Sequence, residues 1–313
     1  MTAEGASALR RPRRLRLAAA AATAAAAAGC GLGAGSKSPG TATLTVTRDY
    51  GTRRLATAAE RDPPSSETVL RFLDRNAQIT TRYGGGFVQS INGVAGSEAG
   101  GRRFDWFFYV NGIESPIGAT QVSVRGSDRI WWDYRDWTNA MRVPAVVGSW
   151  PQPFAAADLR AAIVCKGAAR ACATVRSRVR QAGLRASAAG ADAPRLLVGP
   201  WARIRHDPTA AELGAGPQQS GVFARFAPAE GGFGLELLDA RAQLARRMGP
   251  ATGLLAAVRA GEGPPTWLVT GGGAAGVRAA ARRLDSRDLR DRYAVAATSG
   301  REIALPVVTR SGE

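Results

Sequence analysis

Lysine, histidine, cysteine and methionine are all scarce in this 313-residue chain, and the first three shortages each exclude something. Lys37 and Lys166 are the only lysines, so 40 of the 42 basic residues are arginine. One histidine, His206, and three cysteines, Cys30, Cys165 and Cys172, cannot build the clustered ligand sets of zinc fingers or zinc ribbons. Long apolar runs are missing too: none approaches the ~20 residues of a spanning helix, so a permanent transmembrane helix is not expected. Neither an RNP-like aromatic run nor a basic recognition helix accompanies the net charge of +17, and nucleic acid is not an expected partner. The arginines are scattered along the whole chain. Outside a cell their counterparts are anionic headgroups and phosphate-bearing polymers.

What is present describes a folded, exported protein. Hydrophobic residues make up 45% of the chain, enough for cores, while 38 glycines and 17 prolines require many turns. The length suits two domains plus a leader. Residues 10 to 17, Arg-Arg-Pro-Arg-Arg-Leu-Arg-Leu, are a positive stretch, and residues 18 to 28 are alanine except for Thr23, which is the layout of a secretory signal peptide. Its end, Ala27-Ala28-Gly29-Cys30, resembles the lipobox of bacterial lipoproteins, with alanine where the family usually has leucine at position 27. That resemblance implies lipidation of Cys30 and attachment to the outer face of the cell membrane, since two acyl chains suffice for stable anchoring. A plain cleavage site with an incidental cysteine is the alternative. Removing residues 1–29 takes away five arginines and one glutamate and leaves a net charge of +13. In an oxidising compartment the remaining Cys165 and Cys172 are expected to form a disulfide, the alternative being two buried thiols.

Residues 30–42 read as a flexible tether of glycine, serine and alanine. Order is expected from Thr43. Alternation at Leu44 and Val46 indicates a strand, a turn at Gly51 leads to a second strand, and Pro63-Pro64-Ser65-Ser66-Glu67 starts a helix over 66–76 with Ser65 or Ser66 as its cap. Phe87–Asn92 is a strand ending in an Asn-Gly turn. Phe104–Val110 ends in a second such turn at Asn111-Gly112, and a last strand contains Arg129–Tyr134.

These motifs, Gly-Gly-Phe-Val-Gln-Ser-Ile-Asn-Gly at 85–93, Trp-Phe-Phe-Tyr-Val-Asn-Gly at 106–112, Gly118-Ala119 and Ile-Trp-Trp-Asp-Tyr at 130–134, resemble the carboxy-terminal domain of transcobalamin and intrinsic factor. A large family of bacterial surface proteins shares that domain. The resemblance covers about residues 43–140 and implies a β-grasp fold of the soluble-ligand-binding kind, with cobalamin or another corrinoid as the implied ligand. One departure is Gly126-Ser127-Asp128, where the family usually has Gly-Asp directly. The helical domain that completes the animal cobalamin site is not recognisable.

Beyond a proline-bearing connector at 144–155, residues 156–313 read as a second domain of α/β or α+β class. Strands are expected at Ala162–Val164, Arg195–Val198, Pro265–Thr270 and Tyr293–Ala296, helices at Cys172–Leu184 and Ala274–Leu284, and a hairpin across Gly231-Gly232. Gly271-Gly272-Gly273-Ala274-Ala275-Gly276 has the dinucleotide-binding spacing between a strand and a helix, but no acidic residue follows for a ribose, so a glycine-rich turn is the preferred reading. His206 lacks a nucleophile motif and reads as an exposed residue ahead of Asp207-Pro208. No catalytic or metal-ligating residues are assigned and no cofactor is expected.

The aromatic residues of the first domain carry the binding expectation. Trp106 and Phe108, and likewise Trp132 and Tyr134, share one side of their strands, while the other set faces away. A sheet wetted on one side has no use for large aromatics in water, so the second set should meet a ligand, the second domain or both. Ligand contacts are expected at Phe87, Asn92, Trp106, Tyr109, Asn111, Trp131 and Tyr134. The resulting expectation is an α+β, non-enzymatic surface lipoprotein that binds a soluble ligand and passes it to an importer. The rival is a structural or adaptor protein of the envelope, and less favoured is an envelope enzyme.

Overall fold

The hairpin predicted at the start of the first domain forms from β1 (Thr41–Arg48) and β2 (Arg53–Arg61). The structure is a computed structural model that describes residues 36–156, 158–188, 190 and 193–308; the leader, Cys30 and the tether as far as residue 35 lie outside the described residues. Order begins before Thr43. Ser38 donates its amide to the Pro63 carbonyl at 2.8 Å, and Gly40 and Asp62 exchange hydrogen bonds, so residues 38–40 are already tied to the end of β2. In β1, Ala42, Leu44 and Val46 are buried, as their alternation with threonine requires.

The helix α1 (Val69–Asp74) is shorter than its apolar pattern suggested, and its cap is Thr68, whose hydroxyl accepts the Arg71 amide. Thr68 is extended and bridged to Ser123, so Ser65 and Ser66 cannot belong to the helix. Three strands then make a small separate sheet: β3 (Ile79–Arg82), β4 (Phe87–Ile91) and β5 (Val94–Ala95). They are followed by β6 (Ser97–Ala99), β7 (Arg102–Val110), β8 (Ile113–Glu114) and β9 (Arg129–Asp136). The larger sheet runs β2-β1-β9-β7-β6, with β8 on β7; β1 and β9 are parallel, and β1–β2 and β9–β7 are antiparallel. Both Asn-Gly turns form with φ positive at both residues, 50° and 79° at Asn92-Gly93 and 55° and 79° at Asn111-Gly112, the geometry that suits a two-residue hairpin. Val69, Phe72 and Leu73 of α1 cover the sheet face that carries Leu44, Val46 and Trp132.

The second half contains β10 (Arg160–Cys165), α2 (Ala169–Gln181), β11 (Arg185–Ser187), β12 (Arg195–Pro200), α3 (Trp201–Ile204), α4 (Pro217–Ser220), β13 (Ala224–Ala229), β14 (Gly232–Leu238) and β15 (Leu244–Met248). It ends with β16 (Gly253–Val258), β17 (Thr266–Gly271), α5 (Ala274–Arg282), α6 (Ser286–Leu289), β18 (Ala294–Ala297) and β19 (Glu302–Leu305). Seven strands pair in the order β11-β10-β12-β17-β16-β18-β19, and β13-β14-β15 form a further sheet. Helices α2 and α5 cover one face of the large sheet, and the small sheet with α3 covers the other. Both faces are therefore buried, which is why β16 reads Gly-Leu-Leu-Ala-Ala-Val, fully buried and without alternation. The strand-helix-strand runs at the start and the end of this half are not equivalent. Helix α2 joins neighbouring parallel strands β10 and β11, whereas α5 carries the chain across β16 to β18. The described chain is of α+β class, rich in strand.

The connector at 144–155 is packed. Ala145, Val147, Trp150 and Phe154 are buried in the core of the second half, and the Trp150 and Phe154 rings lie 5.5 and 5.4 Å from that of Trp267. Its prolines suggested a spacer, but four apolar side chains cover the helix-bearing face of the large sheet. The described residues cluster as one compact unit.

Candidate functional site

Strand alternation on β7 and β9 delivers two faces. Trp106, Phe108, Trp132 and Tyr134 point toward α1, and Phe108 stacks on Trp132 with ring centroids 4.8 Å apart. The opposite face carries Phe107, Tyr109, Trp131, Asp133 and Arg135, and the second half covers much of it. Tyr293, which precedes β18, packs edge-on against Tyr50, Tyr109 and Trp131 at 5.0, 5.7 and 5.2 Å, with Phe223 and Leu238 completing the cluster.

A polar network is sealed inside this seam. Asp133, fully buried, accepts from the Thr47 hydroxyl at 2.5 Å and the Gly51 amide at 3.1 Å through Oδ1, and from the Tyr293 hydroxyl at 2.9 Å through Oδ2. Tyr109 donates to the Tyr293 hydroxyl at 3.2 Å, and Trp131 Nε1 donates to Thr47 Oγ1 at 2.7 Å. Burial raises the Asp133 carboxyl to about 6, while the hydrogen bonds from Thr47, Tyr293 and Gly51 pull the other way. Burial likewise pushes the Tyr109 and Tyr293 hydroxyls above their ordinary range. Arg135, also fully buried, donates to the carbonyls of Ala140 and Met141 at 2.6 and 2.9 Å, lies over the Phe107 ring at 3.7 Å and faces Glu114 at 3.8 Å. The network joins the halves, and Tyr109, Asp133, Arg135 and Tyr293 are all buried within it.

The residues expected to touch a ligand therefore divide. Tyr109 and Trp131 are enclosed in the seam, and Trp106 and Tyr134 are enclosed on the α1 side, where Trp106 Nε1 donates to the Val94 carbonyl at 2.8 Å and Tyr134 reaches the Ala95 carbonyl at 3.0 Å. Asn111 is buried as a turn residue: its Nδ2 donates to Asp128 at 2.7 Å and its Oδ1 accepts the Arg129 amide at 2.9 Å. Asp128 also accepts the Arg125 amide, so it closes the Gly126-Ser127 turn despite the extra serine. Phe87 and Asn92 remain exposed, but the Asn92 side chain is occupied in accepting the Gln78 amide. The structure does not bring these seven residues into one cavity.

A different set lines a cleft. Where the second half stops covering the β1–β9 face, a space of about 510 Å³ opens at the seam. One wall is made by Thr43, Thr45 and Thr57, another by Ser286 and Arg290, and Arg129 and Ser149 line it as well. Arg54 and Asp291, also at the cleft, form an ion pair with each other across the seam. Arg129 donates to the Trp150 carbonyl at 2.6 Å, and its charge is disfavoured first by burial and then by the nearby Arg290. Sequence reasoning passed over these residues. Their signal was parity: Thr43 and Thr45 alternate with Leu44 and Val46, and Arg129 alternates with Ile130.

The glycine-rich turn at 271–276 is filled by the chain itself. A Cβ on Gly272 would lie 1.6 Å from the Phe233 carbonyl oxygen, and one on Gly276 would lie 2.4 Å from that of Thr252. Gly273 donates to the Pro250 carbonyl at 3.0 Å. These glycines allow strand, loop and helix to approach, as the preferred reading required. His206 is exposed, while Asp207 caps the following turn and pairs with Arg195 at 2.6 Å. Cys165 and Cys172 form a disulfide that joins β10 to α2.

Residues 66–136 match the family model of a domain of unknown function, DUF4430, which accounts for less than a quarter of the chain. No curated protein matches. Among solved structures, the chain is similar to a candidate metal binding protein from Ruminococcus gnavus ATCC 29149, at 13% identity and a TM-score of 0.25, over 31% of this chain and 97% of that one. A likeness that weak bears on neither fold nor function.

Proposed function

We propose that this protein is a non-enzymatic, extracytoplasmic lipoprotein, anchored through Cys30, that holds a soluble ligand for delivery to a membrane importer. In this reading residues 41–136 are a β-grasp domain. The sheet order β2-β1-β9-β7, its parallel central pair and the single helix α1 on one face support that assignment, as does the resemblance to the transcobalamin carboxy-terminal domain. The observation that carries the binding reading is the seam cleft: it is concave, it lies between two halves joined by the Tyr109–Tyr293–Asp133 hydrogen bonds, and its threonine hydroxyls make no side-chain hydrogen bond among the described residues.

A corrinoid is the ligand the resemblance suggests, and here it would have to bind without Tyr109 and Trp131, which the second half encloses. That same enclosure favours a second reading, an envelope adaptor whose aromatic face serves only to dock its own halves. The readings separate in one experiment. Protein solubilised from membranes should release a stoichiometric small molecule on denaturation, or should take up cyanocobalamin saturably in equilibrium dialysis. Failure of both supports the adaptor. The anchor is tested separately: Cys30→Ser should shift the protein from the membrane fraction to the medium or leave it unprocessed, and unchanged processing and retention would remove the lipoprotein assignment.

A further inference from the structure

The seam cleft combines a half-buried cation that has no carboxylate partner among the described residues, a second cation beside it, and hydroxyl donors on facing walls. Arginine is so abundant in this chain that arginines beside a cavity mean little by themselves. How they are paired means more. Arg102, Arg195, Arg259 and Arg283 are similarly half-buried, and each faces a carboxylate: Asp136 at 2.7 Å, Asp207 at 2.6 Å, Glu262 at 2.9 Å and Asp288 at 3.3 Å; Arg292, also half-buried, pairs with no carboxylate among the described residues but does not line the cleft. Among the described residues Arg129 has only the Trp150 carbonyl, and the one acid lining its cleft, Asp291, is taken by Arg54. A guanidinium partly withdrawn from water and set near another is unfavourable until an anion arrives, and then the same low-dielectric walls strengthen the attraction.

We propose that this cleft binds the dianionic phosphoryl group of a small soluble molecule, with Arg129 and Arg290 as the charged donors and Thr43, Thr45 and Ser286 as hydroxyl donors. This deepens the ligand-holding reading and rests on it. Two cations that pair with no acid among the described residues match a charge of minus two. Donors arriving from both walls suit oxygens spread in a tetrahedron better than the flat edge of a carboxylate, which one arginine fork would satisfy. The space of about 510 Å³ exceeds a bare phosphate, so the rest of a small phosphate ester fits beside it.

The test is calorimetric titration of the full mature chain at pH 7.5 and low salt with inorganic phosphate, glycerol phosphate and succinate, and a sedimentation assay with vesicles containing phosphatidic acid. The expected result is saturable one-to-one binding of both phosphates, with succinate at least tenfold weaker. Arg290→Ala, at an exposed position that leaves the fold alone, should weaken phosphate binding at least tenfold, and Arg246→Ala, exposed on β15 away from the cleft, should not. Absence of saturable phosphate binding, equal losses in the two variants, or binding to vesicles only would each overturn the proposal, the last by naming a lipid headgroup as the source of the phosphoryl group. A co-purifying ligand that lacks phosphate, or whose affinity Arg290→Ala leaves unchanged, would overturn this inference while leaving the ligand-holding function intact.

Discussion

Tyr293→Phe removes one oxygen from the seam, and its effect should depend on pH in a direction the geometry fixes. The hydroxyl donates to Asp133 at 2.9 Å and accepts from Tyr109 at 3.2 Å. With Asp133 ionised, the variant loses a charge-assisted hydrogen bond worth ~1.5–3 kcal/mol and leaves the Tyr109 hydroxyl without its acceptor, ~1 kcal/mol more. The expected cost at pH 8 is therefore about 3 kcal/mol. Burial raises the Asp133 carboxyl to about 6, so its protonated form favours the folded state: this stabilisation is complete below the unfolded value near ~4 and is lost as pH rises through about 6. Since the Tyr293 hydroxyl favours the charged form, losing it moves the folded value further up. At pH 5 the carboxyl is mostly neutral in both proteins, and the difference should shrink to about 1 kcal/mol. Urea unfolding of wild type and variant, followed by tryptophan fluorescence at pH 5 and pH 8, measures both differences, and carboxylates elsewhere cancel in the comparison. A loss below ~0.5 kcal/mol at pH 8, or one as large at pH 5, would refute the seam as an energetic link between the halves.

Trp106→Ala should cost ~3–5 kcal/mol because the indole is enclosed and bonded to the Val94 carbonyl; a variant that melts like wild type would show the α1-side core to be wrongly drawn. Asn111→Ala combines an alanine at φ 55° with two lost side-chain hydrogen bonds, and chemical denaturation should register ~2–3 kcal/mol whether or not any ligand is present. Gly272→Ala should cost at least ~3 kcal/mol or prevent soluble expression, whereas Gly300→Ala, with open space around it, should stay within ~0.5 kcal/mol in the same melting assay. Replacing both Cys165 and Cys172 by alanine should lower stability by ~2–3 kcal/mol, and protein taken from cells should show no free thiol by alkylation and mass spectrometry until it is reduced.

Elements whose signals are local could be read from the order of residues alone. Alternation along Thr41–Arg48, Phe104–Val110 and Arg129–Tyr134 set which side chains share a face, the Asn-Gly dipeptides set both tight turns, and the shortage of other cysteines left Cys165 and Cys172 to each other. Local patterns were weaker where burial is two-sided: β16 has no period to read, and the prolines at 144–155 hid a segment whose apolar residues are core. Which aromatic residues meet water depended on how distant parts of the chain pack. Parity placed Tyr109 and Trp131 on the second face of the sheet, but whether that face held a ligand or another part of the chain depended on Tyr293, 184 residues beyond Tyr109. The same docking left Thr43, Thr45 and Arg129 in a cleft with Arg290, a grouping no spacing along the chain encodes, because it exists only where one half stops covering the other.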